Sequence, residues 1–366
     1  MFLYYFIYIS IFIGTIQNLL KFNKYRKYIF LFFCIIIGMF GGLRFQTGFD
    51  HEPYLEYYEN LPYIDYSDGI PYLVGNMEIG YYFLNLILNF FYFHSQFILL
   101  IPSLFCIYCF YKLCTSIKSN YLLILMAYVS FNLVHNHFSL VRQSICVGLS
   151  YLAISLYLKN KKLFWIFFLF FISMLFHITT IFYLFIFLLS KLIQPREILV
   201  KSISIFLFIF SLFKIDLAFE FSKLLFNVDI FSIITSKYLD YGTIEYTQSL
   251  SYYLYILFNI FFIFFAYRFK QIQNISEKLQ FLVIYASLIQ VIFMTIFPSN
   301  YILWSRISIL TIVLQSLLFS IFISNCVLPK RLLYTTAYVF VLLVFFVYNM
   351  KSMSYGLSPY KSILNP

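Results

Sequence analysis

Three side chains sit where an apolar environment makes them costly. Arg142 lies in FSLVRQSICVGLSYL and is the only Lys, Arg, Asp or Glu from 119 to 158. Arg306 lies in NYILWSRISILTIVL and is the only charged residue between 279 and 329. His177 lies in SMLFHITTIFY, inside an apolar run of 28 residues, 163–190. A charge within such a run costs about 2.5–3.5 kcal/mol on insertion scales, so each needs a reason. A fourth cluster, GGLRFQTGFDHEPY at 41–54, places Arg44, Asp50, His51 and Glu52 at the exit of an apolar segment. Guanidinium groups offer forked, permanently charged donors that suit phosphate oxygens. Asp50 or His177 could take a proton from a hydroxyl. For each arginine the plainer reading is a side chain snorkelling to headgroups. That reading is weakest for Arg142, which is followed by Gln143 and preceded by the polar patch His135, Asn136 and His137. The His and acid spacings lack the i, i+4 pairing and the HExxH pattern of a metal site, so no metal is expected. Walker A, GxGxxG and GxSxG patterns are absent, which argues against ATP-driven transport and a serine hydrolase.

The elements that must position these residues are membrane helices. Of 366 residues, 63% are hydrophobic and 11% charged, and mean hydropathy is +0.88. Apolar runs long enough for a bilayer core recur throughout, without the alternation of a β-barrel. The expected fold is an all-α polytopic membrane protein with about 11–13 transmembrane or re-entrant helices. Spans are expected at 2–20, 28–43, 79–93, 95–114, 120–137, 142–158, 163–176, 178–190, 199–213, 251–267, 279–297, 307–325 and 332–349. The first lacks a basic leader and a small-residue cleavage site and is expected to be retained. No soluble domain separates, so residues 1–366 read as one membrane-embedded domain with loops at 44–78 and 214–250.

Basic clusters at Lys21–Lys27, Lys112 and Lys118, 159–162, Lys191 and Arg196, Arg268–Lys278, and Lys330–Arg331 are expected in the cytoplasm. The two long loops and the FPSNYILWSR segment then lie outside, and Arg44, Arg142, Arg306 and His177 are expected to gather on that outer face. Two places strain this scheme. Residues 79–114 look like two short helices broken at NFFYFHSQ, so either one piece is re-entrant or Lys112 and Lys118 break the rule. Residues 163–190 read either as one long tilted helix or as two pieces meeting near His177.

Net charge is +11. The basic residues sit between spans rather than in a polar domain, so anionic lipid headgroups are expected partners and nucleic acid is not. The six cysteines lie in or beside apolar segments, and Cys106 and Cys109, although spaced CxxC, read as small apolar helix residues.

GLRFQTGFDHEPYLEYY resembles the motif of the EpsG family, R-x-x-x-G-x-D-x-x-x-Y, with Arg44, Gly48, Asp50 and Tyr54 in the marked places. Further points of resemblance are Glu78 and Gly80 opening a helix, Arg142-Gln143, the KNKK loop, Phe176-His177 and the closing PYKSILN. His51 stands where an aromatic is expected. The resemblance implies a Wzy-type polysaccharide polymerase of bacterial O-antigen, capsule or exopolysaccharide synthesis, with a GT-C-like helical architecture in the cytoplasmic (inner) membrane. It implies metal- and cofactor-independent glycosyl transfer between undecaprenyl-diphosphate-linked oligosaccharides at the outer face. A flippase and a chain-length regulator are the expected protein partners.

On that resemblance Arg142, Arg306 and Arg44 are expected to hold the diphosphate and stabilise the leaving group, with Asp50 or His177 as base. Gln143, Tyr54 and His137 are expected to line the substrate site, and tyrosines 54, 57, 58, 63 and 66 to face sugars or belt the interface. Direct displacement would invert the anomeric centre. Two rival classes share the arginine-lined cavity. A flippase or transporter of the same lipid-linked unit would show two pseudo-symmetric halves, and none is visible. A GT-C glycosyltransferase using a polyprenyl-phosphate sugar would need a single phosphate clamp.

Overall fold

The computed structural model describes residues 2–20, 25–48, 50–61, 77–117, 119–133, 137–138, 141–213, 250–269, 276–298, 301–352 and 360–362. Lys21, Lys24, Tyr63, Tyr66, Lys118, His135, Asn136, Lys270 and nearly all of the 214–250 loop lie outside them. Among the described residues the fold is all helical, with fourteen helices. These are α1 (Phe2–Leu20), α2 (Arg26–Gly42), α3 (His51–Asn60), α4 (Ile79–Phe90), α5 (Phe97–Cys114), α6 (Tyr121–Phe131) and α7 (Val141–Leu158). They continue with α8 (Leu163–Phe176), α9 (Thr180–Leu192), α10 (Glu197–Ser211), α11 (Leu250–Arg268), α12 (Glu277–Ile296), α13 (Tyr301–Asn325) and α14 (Leu328–Ser352). Helices α5, α7, α12, α13 and α14 are long and apolar enough to span a bilayer, and several others are apolar but shorter. The chain is a polytopic membrane protein.

Apolar residues cover both faces of these helices, so inside and outside are told apart by side-chain size and polarity. On α8, Ile166, Phe170 and Ser173 are buried, while Phe164, Trp165, Phe168 and Phe171 point outward. The buried stripe follows the 3.6-residue period, and its small member Ser173 donates to the Cys146 carbonyl of α7 (2.9 Å). The outward aromatics suit lipid.

The chain divides into two compact units, residues 1–181 with 319–366, and residues 182–318. In the first, α2 and α5 are antiparallel: Phe30 stacks on Tyr111 near one end (5.4 Å), and Gln96 donates to the carbonyls of Gly42 and Arg44 at the other (2.7 and 3.0 Å). Helix α7 runs parallel to α5, with Ser155 donating to the Lys112 carbonyl (3.3 Å). Arg26, Lys112 and Lys159–Lys162 therefore share one end of this unit, and Arg44 and Arg142 the opposite end. Helix α14 joins the basic end through Lys330 and Arg331, since Ser320, just before it, bonds Asn120 at the start of α6 (2.7 and 3.0 Å). The second unit has a basic end of its own. Lys201 packs on Phe264 and Tyr267 beside Arg268 (4.8 and 5.7 Å), whereas Tyr183 donates to the Arg306 carbonyl at the far end (2.7 Å).

The strained stretch 79–114 resolves simply. Helix α4 has 12 residues, about 18 Å of rise, against about 30 Å for a bilayer core. Glu78 before it pairs with Arg142, and Phe93 after it accepts from the Tyr58 hydroxyl of α3 (2.6 Å). Both ends of α4 thus meet elements at the Arg44 end, so α4 does not cross. Helix α5 crosses alone and carries Lys112 to the basic end, in accord with the charge rule. The 163–190 run is broken at residues 177–179, with His177 in extended conformation after α8.

Two local expectations change. The 44–78 connection contains the helix α3, which buries His51, Tyr54 and Tyr58 at i, i+3 and i+7. The expected 120–137 span ends at Phe131, and His137 and Phe138 belong to a separate π-helical turn.

Candidate functional site

Glycine builds the floor of the Arg44 end. A side chain on Gly41 would meet the Cβ of His137 at 2.5 Å, so α2 closes directly on the 137–138 turn. Gly48 has φ +95°, and a Cβ there would stand 2.0 Å from the Phe138 carbonyl oxygen. Only glycine allows both that conformation and that approach. The chain between them is clamped by residues from the far C-terminal part of the sequence. Arg44 forms an antiparallel bridge with Ser362, the Phe45 amide donates to the Lys361 carbonyl (3.0 Å), and the Lys361 amide donates to Thr47 Oγ1 (3.1 Å). Tyr360 stacks on Phe40 (4.3 Å) and donates to its carbonyl (2.8 Å).

Arg44 is 1% exposed, with its guanidinium over the Phe138 ring at 5.6 Å and Nε and Nη2 lacking hydrogen-bond partners. Burial pulls its pKa down to about 10, opposed chiefly by the nearby charge of Asp50, so the group is a cation at neutral pH. Asp50 precedes α3 without capping it through its side chain and acts electrostatically on both Arg44 and Tyr54. His51 is buried beneath it. Its Nε2 accepts from the Gln46 amide (3.3 Å), and burial together with Arg44 lowers its pKa to about 4. His51 is neutral at physiological pH.

Arg142 opens α7 on the same end. Its Nε donates to the Tyr54 hydroxyl (2.9 Å), Nη1 donates to Glu78, and the guanidinium lies over the Tyr54 ring (5.7 Å). The Arg142 and Glu78 side chains are 23% and 26% exposed, so this ion pair is reachable, unlike Arg44. Burial pushes the Tyr54 hydroxyl up to about 12, which keeps it protonated. Tyr54 meets Tyr81 of α4 edge-on (5.2 Å), and Arg44 acts on both tyrosines electrostatically. Tyr54 is thus bonded to Arg142 and lies within the electrostatic reach of Arg44. Gly80 seats α4 on the Leu175 carbonyl, which a Cβ would approach to 2.8 Å; this sets Glu78 in front of Arg142.

The remaining expected site residues fall as follows. Gln143 is fully buried beside Arg142. His137 is braced on both ring nitrogens, by Ser103 at Nδ1 (2.6 Å) and Tyr128 at Nε2 (2.8 Å). His177 lies one turn deeper along α7. Its Nδ1 accepts from the Thr179 amide and faces the Thr179 hydroxyl (both 3.1 Å), and that hydroxyl is 3.7 Å from Cys146 Sγ. An amide can only donate, so the neutral His177 ring carries its proton on Nε2. The structure thus brings Arg44, Asp50, Tyr54, Arg142 and Gln143 to one end of the first unit, with His177 a turn away. Arg306 belongs to the second unit, where its Nε is buried without a hydrogen-bond partner. Tyr57 and Tyr58 pack within α3's surroundings, Tyr57 tilted against Tyr81 (6.5 Å). Cys106 and Cys109 are free and buried inside α5. Among the described residues no three His, Cys, Asp or Glu side chains converge as a metal cluster.

Glu78, noted in the sequence only as a point of resemblance before an apolar helix and given no role there, is the ion-pair partner of Arg142.

No curated protein and no solved structure matches the chain significantly. The EpsG family model matches residues 27–362, a span that contains α2 from its second residue through α14, with Arg44, Arg142 and the strap at 360–362. The chain is a member of the EpsG family, associated with exopolysaccharide biosynthesis.

Proposed function

We propose that this protein is a polysaccharide polymerase. It joins oligosaccharide repeat units carried on undecaprenyl diphosphate by inverting glycosyl transfer at the outer face of the bacterial cytoplasmic membrane. The observation that carries the reading is a partly exposed Arg142, bonded to Tyr54 and Glu78, at the end of the first unit that also holds Arg44 and lies opposite its basic residues. By the charge rule that end faces outward. Arg142 is the arginine a diphosphate reaches, and its forked donors suit phosphate oxygens. Arg44 is sealed from solvent and acts as a fixed positive charge behind it, where a low dielectric strengthens its field. Negative charge building on the departing diphosphate is stabilised by both.

Asp50 and His177 are the groups from which a proton acceptor for the attacking hydroxyl was expected. Asp50 suits that role better, because the His177 Nδ1 lone pair is already engaged by the Thr179 amide. Arg306, expected as a further diphosphate ligand, lies at the end of its own unit opposite Lys201 and Arg268.

The test is Arg142→Ala in cells that otherwise make the polymer. The variant is expected to leave single repeat units transferred and exposed outside but no longer chains. Full-length chains from Arg142→Ala would refute the phosphate-clamp role. Repeat units stranded inside the cell would instead favour a transporter.

A further inference from the structure

Glu78 presents a problem for any ligand of Arg142. The guanidinium is not waiting for a phosphate; it is already paired with a carboxylate, with Tyr54 on its Nε. An anion must displace Glu78 to use the fork. We infer that Glu78 is a specificity-determining gate, which sets the charge an anionic lipid headgroup must carry to occupy the Arg142 site. This rests on the reading of Arg142 as the diphosphate ligand.

The argument is one of charge balance. Among the described residues, the groups acting on Arg142 are Glu78 and the protonated Tyr54, with Tyr81 in its field, while Asp50 acts on Arg44. Among the described residues Arg142 is matched by Glu78 and Arg44 by Asp50. A phosphodiester headgroup such as that of phosphatidylglycerol carries one negative charge. Exchanging it for Glu78 at Arg142 replaces one monoanion with another and strands the displaced carboxylate near it, so nothing is gained. A diphosphate carries more than one negative charge and also feels the buried, incompletely hydrogen-bonded Arg44. It can repay the broken ion pair. The need for such a gate is physical. An arginine near the bilayer surface is surrounded by phosphodiester lipids at concentrations far above that of any lipid-linked saccharide, and without competition from Glu78 they would occupy it.

The geometry supports a residue built for this contact rather than a stray surface pair. Glu78 is fixed at the start of α4 by the close seating of Gly80 on Leu175, and the Tyr81 and Tyr82 amides bond the Glu78 carbonyl (both 3.0 Å). Its side chain makes no cap hydrogen bond to its own helix. The carboxylate is thereby left to Arg142 while the backbone is held.

The experiment is lipid binding by native mass spectrometry, using the purified full-length protein with undecaprenyl diphosphate and with phosphatidylglycerol as separate probes. The wild type is expected to prefer the diphosphate. Glu78→Gln keeps the shape and an oxygen acceptor but removes the charge. It is expected to bind phosphatidylglycerol about fivefold more tightly than the wild type while retaining the diphosphate, the order of change when a partly exposed ion pair no longer has to be broken. Glu78→Asp is expected to restore selectivity in part. Unchanged phosphatidylglycerol binding in Glu78→Gln would overturn the gate. So would loss of diphosphate binding in both Glu78 variants to the level of Arg142→Ala, which would make Glu78 a mere support for the arginine. These measurements need no glycan. If selectivity shifts as expected and the protein still fails to elongate saccharide-loaded diphosphate, the gate stands and the polymerase reading fails.

Discussion

Gly48→Ala tests whether the Arg44–Asp50 segment must be seated to within an ångström. A Cβ at residue 48 stands 2.0 Å from the Phe138 carbonyl oxygen, about 1 Å inside the closest approach that real Cβ atoms show. The φ of +95° adds about 1–3 kcal/mol of strain for any residue with a side chain, and overpacking about 1–3 kcal/mol more. The cheapest relief is for the segment to lift from the 137–138 turn. That sacrifices the Phe45–Lys361 and Lys361–Thr47 hydrogen bonds, worth about 1 kcal/mol each, and leaves the helices intact. The segment moves by about 1 Å and takes Arg44 and Asp50 with it. Displacements of that size cost roughly a hundredfold in rate where positioning matters. The melting temperature, read by fluorescence-detected size exclusion, should fall by several degrees for the roughly 2 kcal/mol lost, with folded protein still made, while the glycan ladder should collapse toward single units. Gly48→Asn separates the two causes: asparagine tolerates positive φ but carries the same Cβ, so it should fail equally. A Gly48→Ala protein that builds wild-type chain lengths at wild-type abundance would refute the seating argument.

Other outcomes follow from the same structure. Tyr92 is 96% exposed in the loop after α4, so Tyr92→Cys in a cysteine-free background should react with a membrane-impermeant maleimide from outside. Lys161→Cys, at the basic end, should react only once the membrane is opened, and the reverse pattern would invert the orientation. His51 has a pKa lowered from 6.5 to about 4, so its contribution to stability is full above pH 6.5 and is lost as pH falls toward 4, at most about 3 kcal/mol. His51→Phe should flatten that part of the melting-temperature profile between pH 7 and 4.5; an unchanged slope would show that His51 is not the titrating group. Tyr360→Phe should cost about 1 kcal/mol for the lost bond to the Phe40 carbonyl, and Tyr360→Ala about 3–5 kcal/mol with the stack gone as well. Equal melting temperatures for the two would show that the stack contributes nothing.

The helices were legible because lipid demands long apolar runs, and all thirteen expected spans correspond to helices. Helix α3 was not read, although its signs are in HEPYLEYYEN: an acid before it, proline in the first turn, and His51, Tyr54, Leu55 and Tyr58 on one face. Its low mean apolarity hid it among loop residues, because burial here is by tyrosine and histidine against protein rather than by aliphatics against lipid. Helix α6 is shorter than its apolar run for a related reason. Residues 137–138 turn aside to close on Gly41, and composition carries no trace of a partner that distant in sequence. The site shows the same limit. Arg142, Asp50 and Arg44 stood out because charge in an apolar run is conspicuous by itself. Their organisation depends on pairs 64, 88 and 314 residues apart, Arg142 with Glu78, Arg142 with Tyr54 and Thr47 with Lys361, and no local pattern encodes those.

The two arginines differ in how they are held, and that difference divides their labour. Arg44 is placed by backbone: its carbonyl takes Gln96, its strand pairs with Ser362, and the glycines on either side seat the chain against His137 and Phe138. Its side-chain nitrogens Nε and Nη2 contribute no hydrogen bond to that placement. Arg142 is the opposite case, with its guanidinium bonded to the side chains of Glu78 and Tyr54, which can exchange. A side chain fixed by exchangeable partners can transfer its bonds to a ligand without moving the fold. One fixed by its backbone keeps its charge in place through every exchange. On the proposed reading the site releases a multiply charged leaving group after each cycle and needs both, because a clamp made only of fixed cations would hold its product, and one made only of exchangeable cations would be preorganised for nothing.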